Sequence, residues 1–272
     1  MHTLLTQGQS NMTVAQHTRR YLLALTMPRL FSPTPKMNDN LIERIVDEVS
    51  RRLAAVAEAD RTAPASQSDM LTPDILAGRV VANISARHIH LSKDHVEQLF
   101  GSGASLTRMR DLYQPGEFAS DQQVMLISPA GRTLGPVRVL GPERKASQIE
   151  ISLTDCYALG LKKLPPIRAS GDHRESVGIT MVGPAGVVTL QSGLIRANRH
   201  IHLHTSQAQA LGLENNSSVD VRLNGDRPTI FLGVQVRAHE AFRAEMHIDT
   251  DDGNAVGLKS GSLVEILGPA RK

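Results

Sequence analysis

The stretch Arg87-His88-Ile89-His90-Leu91 occurs twice in the chain, because Arg199-His200-Ile201-His202-Leu203 repeats it 112 residues later. Successive side chains of an extended strand point to opposite faces, so both histidines of a His-x-His pair lie on one face. Their Cα atoms are about 7 Å apart, a spacing from which two imidazoles can converge on one metal ion. The two copies therefore predict two strands, each with half of a metal site on one face and an isoleucine directed at a core.

A second repeated segment supplies a third candidate ligand in each half. Residues 148–161 align without a gap on residues 245–258, and Glu150 falls opposite His247. Both residue types bind metals, and three protein ligands with an open fourth position are typical of catalytic zinc. Because the pattern recurs in register, the repeat strengthens the prediction of a zinc site built from paired halves. The candidate ligands are His88, His90 and Glu150 in the first half, and His200, His202 and His247 in the second.

Composition excludes several classes of function. Aromatic residues make up 3% of the chain and Trp is absent, so stacking platforms for single-stranded nucleic acid are not expected. The first 36 residues carry four of the 30 basic residues and no acidic residue, which leaves 26 basic and 27 acidic residues in a nearly neutral remainder. That balance argues against nucleic-acid binding. No apolar run reaches the roughly 18 residues of a membrane span.

A single cysteine, Cys156, rules out a disulfide within the chain and indicates a reducing compartment. It lies among small residues in the segment that follows Glu150. A buried structural role is favoured for it over that of a nucleophile.

The N-terminal quarter of the chain is predicted to lie outside the catalytic body. Residues 1–36 lack a clear period and are interpreted as disordered, or as an over-long start with translation beginning at Met37. Residues 37–57 are predicted to form an amphipathic helix that begins with a capping box. Residues 58–72 are predicted to form a flexible linker. Such a tethered helix either docks on its own domain or, as the tether favours, docks into the groove of a partner; its mixed charges make membrane-surface binding the weaker alternative.

The remaining residues are predicted to form two repeats, 73–170 and 171–272, with a link at 162–172. Short strand-like segments separated by Gly/Pro turns indicate sheets closed as barrels or packed as sandwiches, with few helices. Ser92 is expected to cap a short helix after the first His-x-His strand. Thr205 or Ser206 is expected to do the same after the second.

Four motifs of the sequence are distinctive: residues 85–91, Gly141-Pro142-x-Arg144 followed by Gln148-x-Glu150, residues 198–202, and His247-Ile248-Asp249. They resemble motifs of the phosphate propanoyltransferases, the zinc-dependent phosphotransacylases of bacterial microcompartments. The likeness covers about residues 73–272 and implies two β-barrel domains with short helices and a dinuclear zinc centre, with two zinc ions per chain, between them; which ligands bind which ion stays open. It also implies interconversion of a short-chain acyl-CoA, such as propanoyl-CoA, and phosphate with an acyl phosphate and coenzyme A.

The resemblance also implies roles for particular residues. The six candidate ligands match the metal ligands of the family, and Arg144 matches a catalytic, phosphate-binding arginine. His204 departs from the first repeat, which has Ser92 there, and receives no ligand role. The helix resembles an encapsulation peptide that binds a shell protein through residues 38–53, which implies the microcompartment lumen as the location. A homo-oligomer is compatible with the sequence. No residue can be assigned to coenzyme A binding from the sequence.

Several alternatives stay open from the sequence. Asp249 either supports a ligand or ends a strand, and Arg87 and Arg199 either contact phosphate or lie at the edge of a core. His95, His173 and His239 have no counterpart in the repeat and are interpreted as surface residues. Two other functions use the same ligands, a di-zinc thioester hydrolase and a non-catalytic microcompartment adaptor joined by zinc.

Overall fold

The computed structural model describes residues 71–270, which contain fourteen strands and five short helices. The predicted segments 1–36 and 37–57, and most of the predicted linker 58–72, lie outside the described residues. The strands are β1 Arg79–Ser85, β2 His88–Ser92, β3 Arg108–Asp111, β4 Phe118–Ile127, β5 Thr133–Arg144, β6 Gln148–Glu150, β7 Ile167–Arg168, β8 Val177–Val182, β9 Val187–Ala197, β10 His200–Leu203, β11 Ser218–Leu223, β12 Thr229–Ala238, β13 Glu245–Asp249 and β14 Ser262–Pro269. The helices are α1 Pro73–Leu76, α2 Lys93–Phe100, α3 Leu153–Ala158, α4 Thr205–Ala210 and α5 Thr250–Val256.

The strands form two closed six-stranded barrels within one compact unit, Ala65–Lys272. One barrel has the strand order β1-β13-β10-β12-β11-β14 and closes where β14 pairs with β1. The other follows β4-β5-β2-β6-β9 and closes through β8, which pairs with both β9 and β4. The prediction of a mainly β fold with two barrels and short helices is confirmed. None of the helices between residues 71 and 270 is long and apolar enough to cross a membrane.

Strand pairing runs across the boundary predicted between the repeats at residue 170. Strand β1 precedes the first His-x-His strand, yet it pairs in parallel with β13 and contributes Val80 and Ala82 to the core of the other barrel. Strands β8 and β9 follow residue 170 but complete the barrel that contains β2. Sequence likeness identifies similar segments, whereas closure of a barrel depends on which edges are free to pair.

The repeated His-x-His strands occupy equivalent places in the two barrels. Strand β2 lies between β5, which is parallel to it, and β6, which is antiparallel. Strand β10 lies in the same way between β12 and β13. The intervening residues Ile89 and Ile201 have no exposed surface, and each belongs to the core of its own barrel. The alternation predicted for these strands is therefore confirmed.

The helices that follow the His-x-His strands begin in different ways. As predicted, Ser92 caps α2, and its hydroxyl accepts the backbone N–H of His95. The prediction that Thr205 or Ser206 caps α4 was wrong, because His204 is the capping residue. Its Nδ1 accepts the N–H of Ser206 at 3.2 Å, since an imidazole nitrogen can take the place of a hydroxyl oxygen there.

Removal of the buried side chain between the first two histidines should destabilise the protein without touching a polar group. We expect Ile89→Ala to lower the free energy of unfolding of the metal-free protein by about 2–5 kcal/mol, because it leaves a cavity in a closed barrel. Urea denaturation in the presence of a chelator measures this change. The control Leu232→Ala alters a side chain that is 63% exposed and should cost less than about 0.5 kcal/mol. Equal effects of the two substitutions would contradict the assigned orientation of β2.

Candidate metal centres

The first candidate centre is formed by His88 and His90 of β2 and by Glu150 of β6. Glu150 lies directly opposite His88 in the antiparallel pair, and candidate ligand atoms of the three residues lie within 4.8 Å of one another. The carboxylate Oε2 of Glu150 is 3.5 Å from Nε2 of His88. Nδ1 of His88 lies 2.9 Å from the backbone carbonyl of Ala86 and donates to it, which leaves Nε2 free to bind a metal.

The second candidate centre repeats this geometry with three histidines. His247 of β13 lies opposite His200 of β10, and candidate ligand atoms of His200, His202 and His247 are again within 4.8 Å of one another. Nδ1 of His200 is 2.8 Å from the carbonyl of Asn198, the counterpart of the bond made by His88. The structure thus brings together all six predicted ligands in two sets of three, and the orienting carbonyl bond is repeated as well.

Both centres contain buried imidazole nitrogens that make no hydrogen bond. Nδ1 of His90, both ring nitrogens of His202 and Nε2 of His247 have no hydrogen-bond partner among residues 71–270. Buried polar atoms in folded proteins are nearly always paired, so atoms like these require a ligand that is not protein. Imidazole nitrogen with one carboxylate, or with imidazole alone, is a donor set suited to Zn²⁺. The residues present therefore fit a divalent metal in each centre.

The electrostatic surroundings favour the metal-binding forms of His90, His202 and Glu150. Burial lowers the pKa of His90 and His202, and the nearby histidines lower both further. Burial alone would raise the pKa of Glu150, but the electrostatic effect of His88 and a hydrogen bond from Ser170 outweigh it, so this pKa is lowered. Metal binding requires neutral imidazole and ionised carboxylate, which are the forms that these pKa shifts favour.

One cleft of about 680 Å³ joins the two centres and is rich in arginine. The predicted Arg144 lies in it, donates to the Ser170 hydroxyl at 2.8 Å and is 3.5 Å from a carboxylate oxygen of Glu117. Burial lowers the pKa of Arg144 and also that of Arg237, which the sequence analysis missed. Arg237 pairs with His202 across β10 and β12, a neighbourhood that the spacing of the two residues in the sequence does not reveal. The arginines that line the cleft are Arg87, Arg110, Arg138, Arg144 and Arg237.

Two buried side chains next to the third ligands were also missed. Gln148 and Glu245 lie two residues before Glu150 and His247, on the same strand face. Gln148 donates to Glu150 Oε1 at 2.6 Å, and a carboxylate oxygen of Glu245 is 3.1 Å from His247 Nε2. The gapless alignment that identified the third ligands begins at this pair, so the clue was present in the sequence.

The structure shows structural contacts for the residues whose roles the sequence left undecided. Asp249 caps α5, because its side chain accepts the N–H of Asp252, so the strand-end alternative is the one observed. Arg87 forms a 2.6 Å ion pair with Asp155, and Arg199 forms a 2.7 Å ion pair with Asp252. Because Asp155 and Asp252 also occupy equivalent places in the repeat, each arginine holds its His-x-His strand against the helix that follows the third ligand.

The remaining histidines, which were predicted to be surface residues or were given no ligand role, differ in their surroundings. His173 is half-buried and approaches Gln148 Oε1 at 3.1 Å, so it lies beside the first centre. His95 is bonded to the Ser147 hydroxyl, whereas His239 accepts the backbone N–H of Ala241 at an exposed position. His204 caps α4 and is 2.9 Å from Glu240, in keeping with the absence of a predicted ligand role.

Cys156 is fully buried and is a structural residue, as the sequence analysis favoured. Burial raises the pKa of its thiol to about 11, so the thiol stays protonated at neutral pH. Such a thiol is a poor nucleophile.

Comparison with known proteins points to one family. The family model "Phosphate propanoyltransferase" matches residues 81–259. A protein of Planctopirus limnophila with this name is 42% identical over 229 residues, which cover 84% of this chain and 91% of the relative. A Rhodobacter capsulatus protein of the same name is 44% identical over 213 residues, 75% of this chain and 98% of the relative. A third, from Rhodopseudomonas palustris, is 41% identical over 230 residues, 85% of this chain and 98% of the relative.

Proposed function

The chain belongs to the phosphate propanoyltransferase family, and we propose that it transfers a short-chain acyl group between coenzyme A and phosphate at a dinuclear zinc site. It is an acyltransferase of the phosphotransacylase type. The first zinc ion would be held by His88, His90 and Glu150, and the second by His200, His202 and His247. The observation that carries the proposal is that both ligand sets, in the same strand register, face one arginine-lined cleft.

The charge of the cleft supports substrates that carry phosphate. Arg144 is half-buried and held by Ser170, so its guanidinium is already oriented and its remaining N–H groups can form a two-pronged contact with phosphate oxygens. Arg237 adds a second partly desolvated positive charge on the opposite barrel. Burial strengthens such contacts, because little water competes for the donors.

The reaction follows from bringing the two substrates together in this cleft. A phosphate oxygen held by Arg144 attacks the thioester carbonyl, a C–O bond forms, the C–S bond breaks, and coenzyme A leaves as the thiolate. When bound, zinc would polarise the thioester carbonyl and stabilise the departing sulfur. The protein supplies orientation: carbonyls of Ala86 and Asn198 set the rings of His88 and His200, and Gln148 sets Glu150.

We also propose that residues 37–57 direct the enzyme into the lumen of a bacterial microcompartment by binding a shell protein through residues 38–53. The amphipathic pattern of this segment and the polar linker 58–72 support the proposal. An apolar helical face with no core of its own gains stability by docking into the groove of a partner.

The transferase assignment predicts that turnover depends on both phosphate and metal. Full-length protein loaded with zinc should release free coenzyme A from propanoyl-CoA and form propanoyl phosphate only when phosphate is present. Removal of the metal by chelation should abolish release, and added zinc should restore it. Thiol titration and hydroxamate detection of acyl phosphate measure the two products. Thiol release without phosphate would instead identify a thioester hydrolase.

Arg144 is predicted to act on phosphate through the geometry of its guanidinium. Arg144→Lys keeps the charge but not the two-pronged contact, so we expect kcat/KM for phosphate to fall by about 10²–10³-fold. The control Arg222→Lys alters an ion pair with Glu265 outside the cleft and should leave turnover unchanged. Zinc content, measured in parallel, should equal that of the wild type in both variants. Full activity of Arg144→Lys and Arg144→Ala would refute the assigned role.

The targeting proposal predicts that residues 37–57 suffice for encapsulation. A fluorescent protein that carries this segment should co-purify with assembled shells of the host microcompartment. A matched segment with Ile42, Ile45 and Val49 changed to Asp loses the apolar face and should remain outside. Equal encapsulation of both reporters would rule out docking through that face.

A further inference from the structure

A carboxylate that the proposed mechanism does not use lies against the three-histidine centre. Glu245 is 3% exposed, and its Oε2 is 3.1 Å from Nε2 of His247. Its Oε1 accepts a hydrogen bond from Asn83, and its Oε2 accepts one from Gln114, both at 2.6 Å. Burial of an ionised carboxylate is costly unless positive charge or several donors compensate it. A positive charge at the centre would complete that compensation.

The corresponding position in the first centre shows what Glu245 is placed to do. Gln148 lies opposite His90, as Glu245 lies opposite His202. Gln148 supports the ligand two residues further along its strand by donating to Glu150. Glu245 contacts His247, which is the ligand two residues further along β13. In the first half the neutral residue comes first and the acid second, as Gln148 and Glu150. In the second half the acid comes first and the neutral residue second, as Glu245 and His247.

This exchange equalises the charge at the two centres. Two histidines and Glu150 offer one negative charge to a divalent ion, whereas three neutral histidines offer none. We propose that Glu245 is the acidic residue of the second metal centre, where its carboxylate, 3.1 Å from Nε2 of His247, supplies the negative charge that the histidines lack. The inference rests on the proposed function insofar as both centres hold metal. Loss of a group that surrounds the metal ligands typically costs about 10- to 100-fold in metal affinity.

The carboxylate is fixed from both barrels. Asn83 lies on β1, directly across from His247 in the parallel pair. Gln114 comes from the connection between β3 and β4, and its side chain bonds both the N–H and the C=O of Arg243 before it reaches Glu245. Because Gln114 is itself held by backbone hydrogen bonds and Asn83 donates from β1, the Glu245 side chain is held in place without a metal.

The test compares zinc affinities of the full-length protein when one centre has been disabled. His88→Ala removes a ligand of the first centre, and His200→Ala removes one of the second. Glu245→Gln should weaken zinc binding by about 10- to 100-fold in the His88→Ala background and leave it unchanged in the His200→Ala background. Competition with a chromogenic chelator measures both. Equal losses in the two backgrounds, or no loss with His88→Ala, would overturn the inference.

Two controls separate a metal effect from a loss of fold. Glu240→Gln removes an exposed carboxylate that pairs with His204 and should change neither affinity. If Glu245→Gln lowers the melting temperature of the metal-free protein, Gln114→Ala is the second test, because it keeps the carboxylate and removes one donor. It should weaken the second centre by a smaller factor, and a loss confined to the first centre would refute the proposal. Affinity is measured without turnover, so zinc-binding protein that forms no acyl phosphate would count against the proposed function alone.

Discussion

The antiparallel pairing of each His-x-His strand with the strand that carries the third ligand is the constraint on which the site depends. Because side chains alternate with a period of two, a slip of one residue would turn Glu150 or His247 into the core. Ile89 and Ile201 oppose such a slip, since each is fully buried on the other face of its strand. The same strand register thus determines both the packing of the core and the geometry of the metal sites.

The repetition extends beyond the ligands to the groups that hold them, and the departures from it concern charge. Both first histidines are oriented by a carbonyl two residues earlier, and both preceding arginines pair with an aspartate of the helix that follows the third ligand. Where the halves differ, an acid changes position, as with Glu150 and His247 or Gln148 and Glu245. The two half-sites thereby differ in which position carries the acid, while both face one cleft.

The sequence predicted which candidate ligands lie together, because their proximity depends on local geometry, whereas closure of the barrels depends on distant pairing. The spacing of a His-x-His pair is enough to place both side chains on one face of a strand. The alignment of the repeats then added Glu150 and His247 as candidate ligands. The same alignment could not reveal that β1 joins the barrel of β13, since likeness between segments does not say which edges pair. Arg237 stayed hidden because its neighbour His202 lies 35 residues away along the chain. The cap of α4 was predicted at Thr205 or Ser206 and not at His204, because hydroxyl groups are the commoner capping groups.

The central claim is that the two clusters are two metal centres sharing one cleft. Diffraction from crystals of the zinc-loaded protein, recorded on both sides of the zinc absorption edge, tests it most directly. We predict two anomalous peaks, each about 2.0–2.2 Å from its ligand atoms. One should lie among His88, His90 and Glu150, and the other among His200, His202 and His247. A single peak, or peaks bound by other residues, would contradict the account.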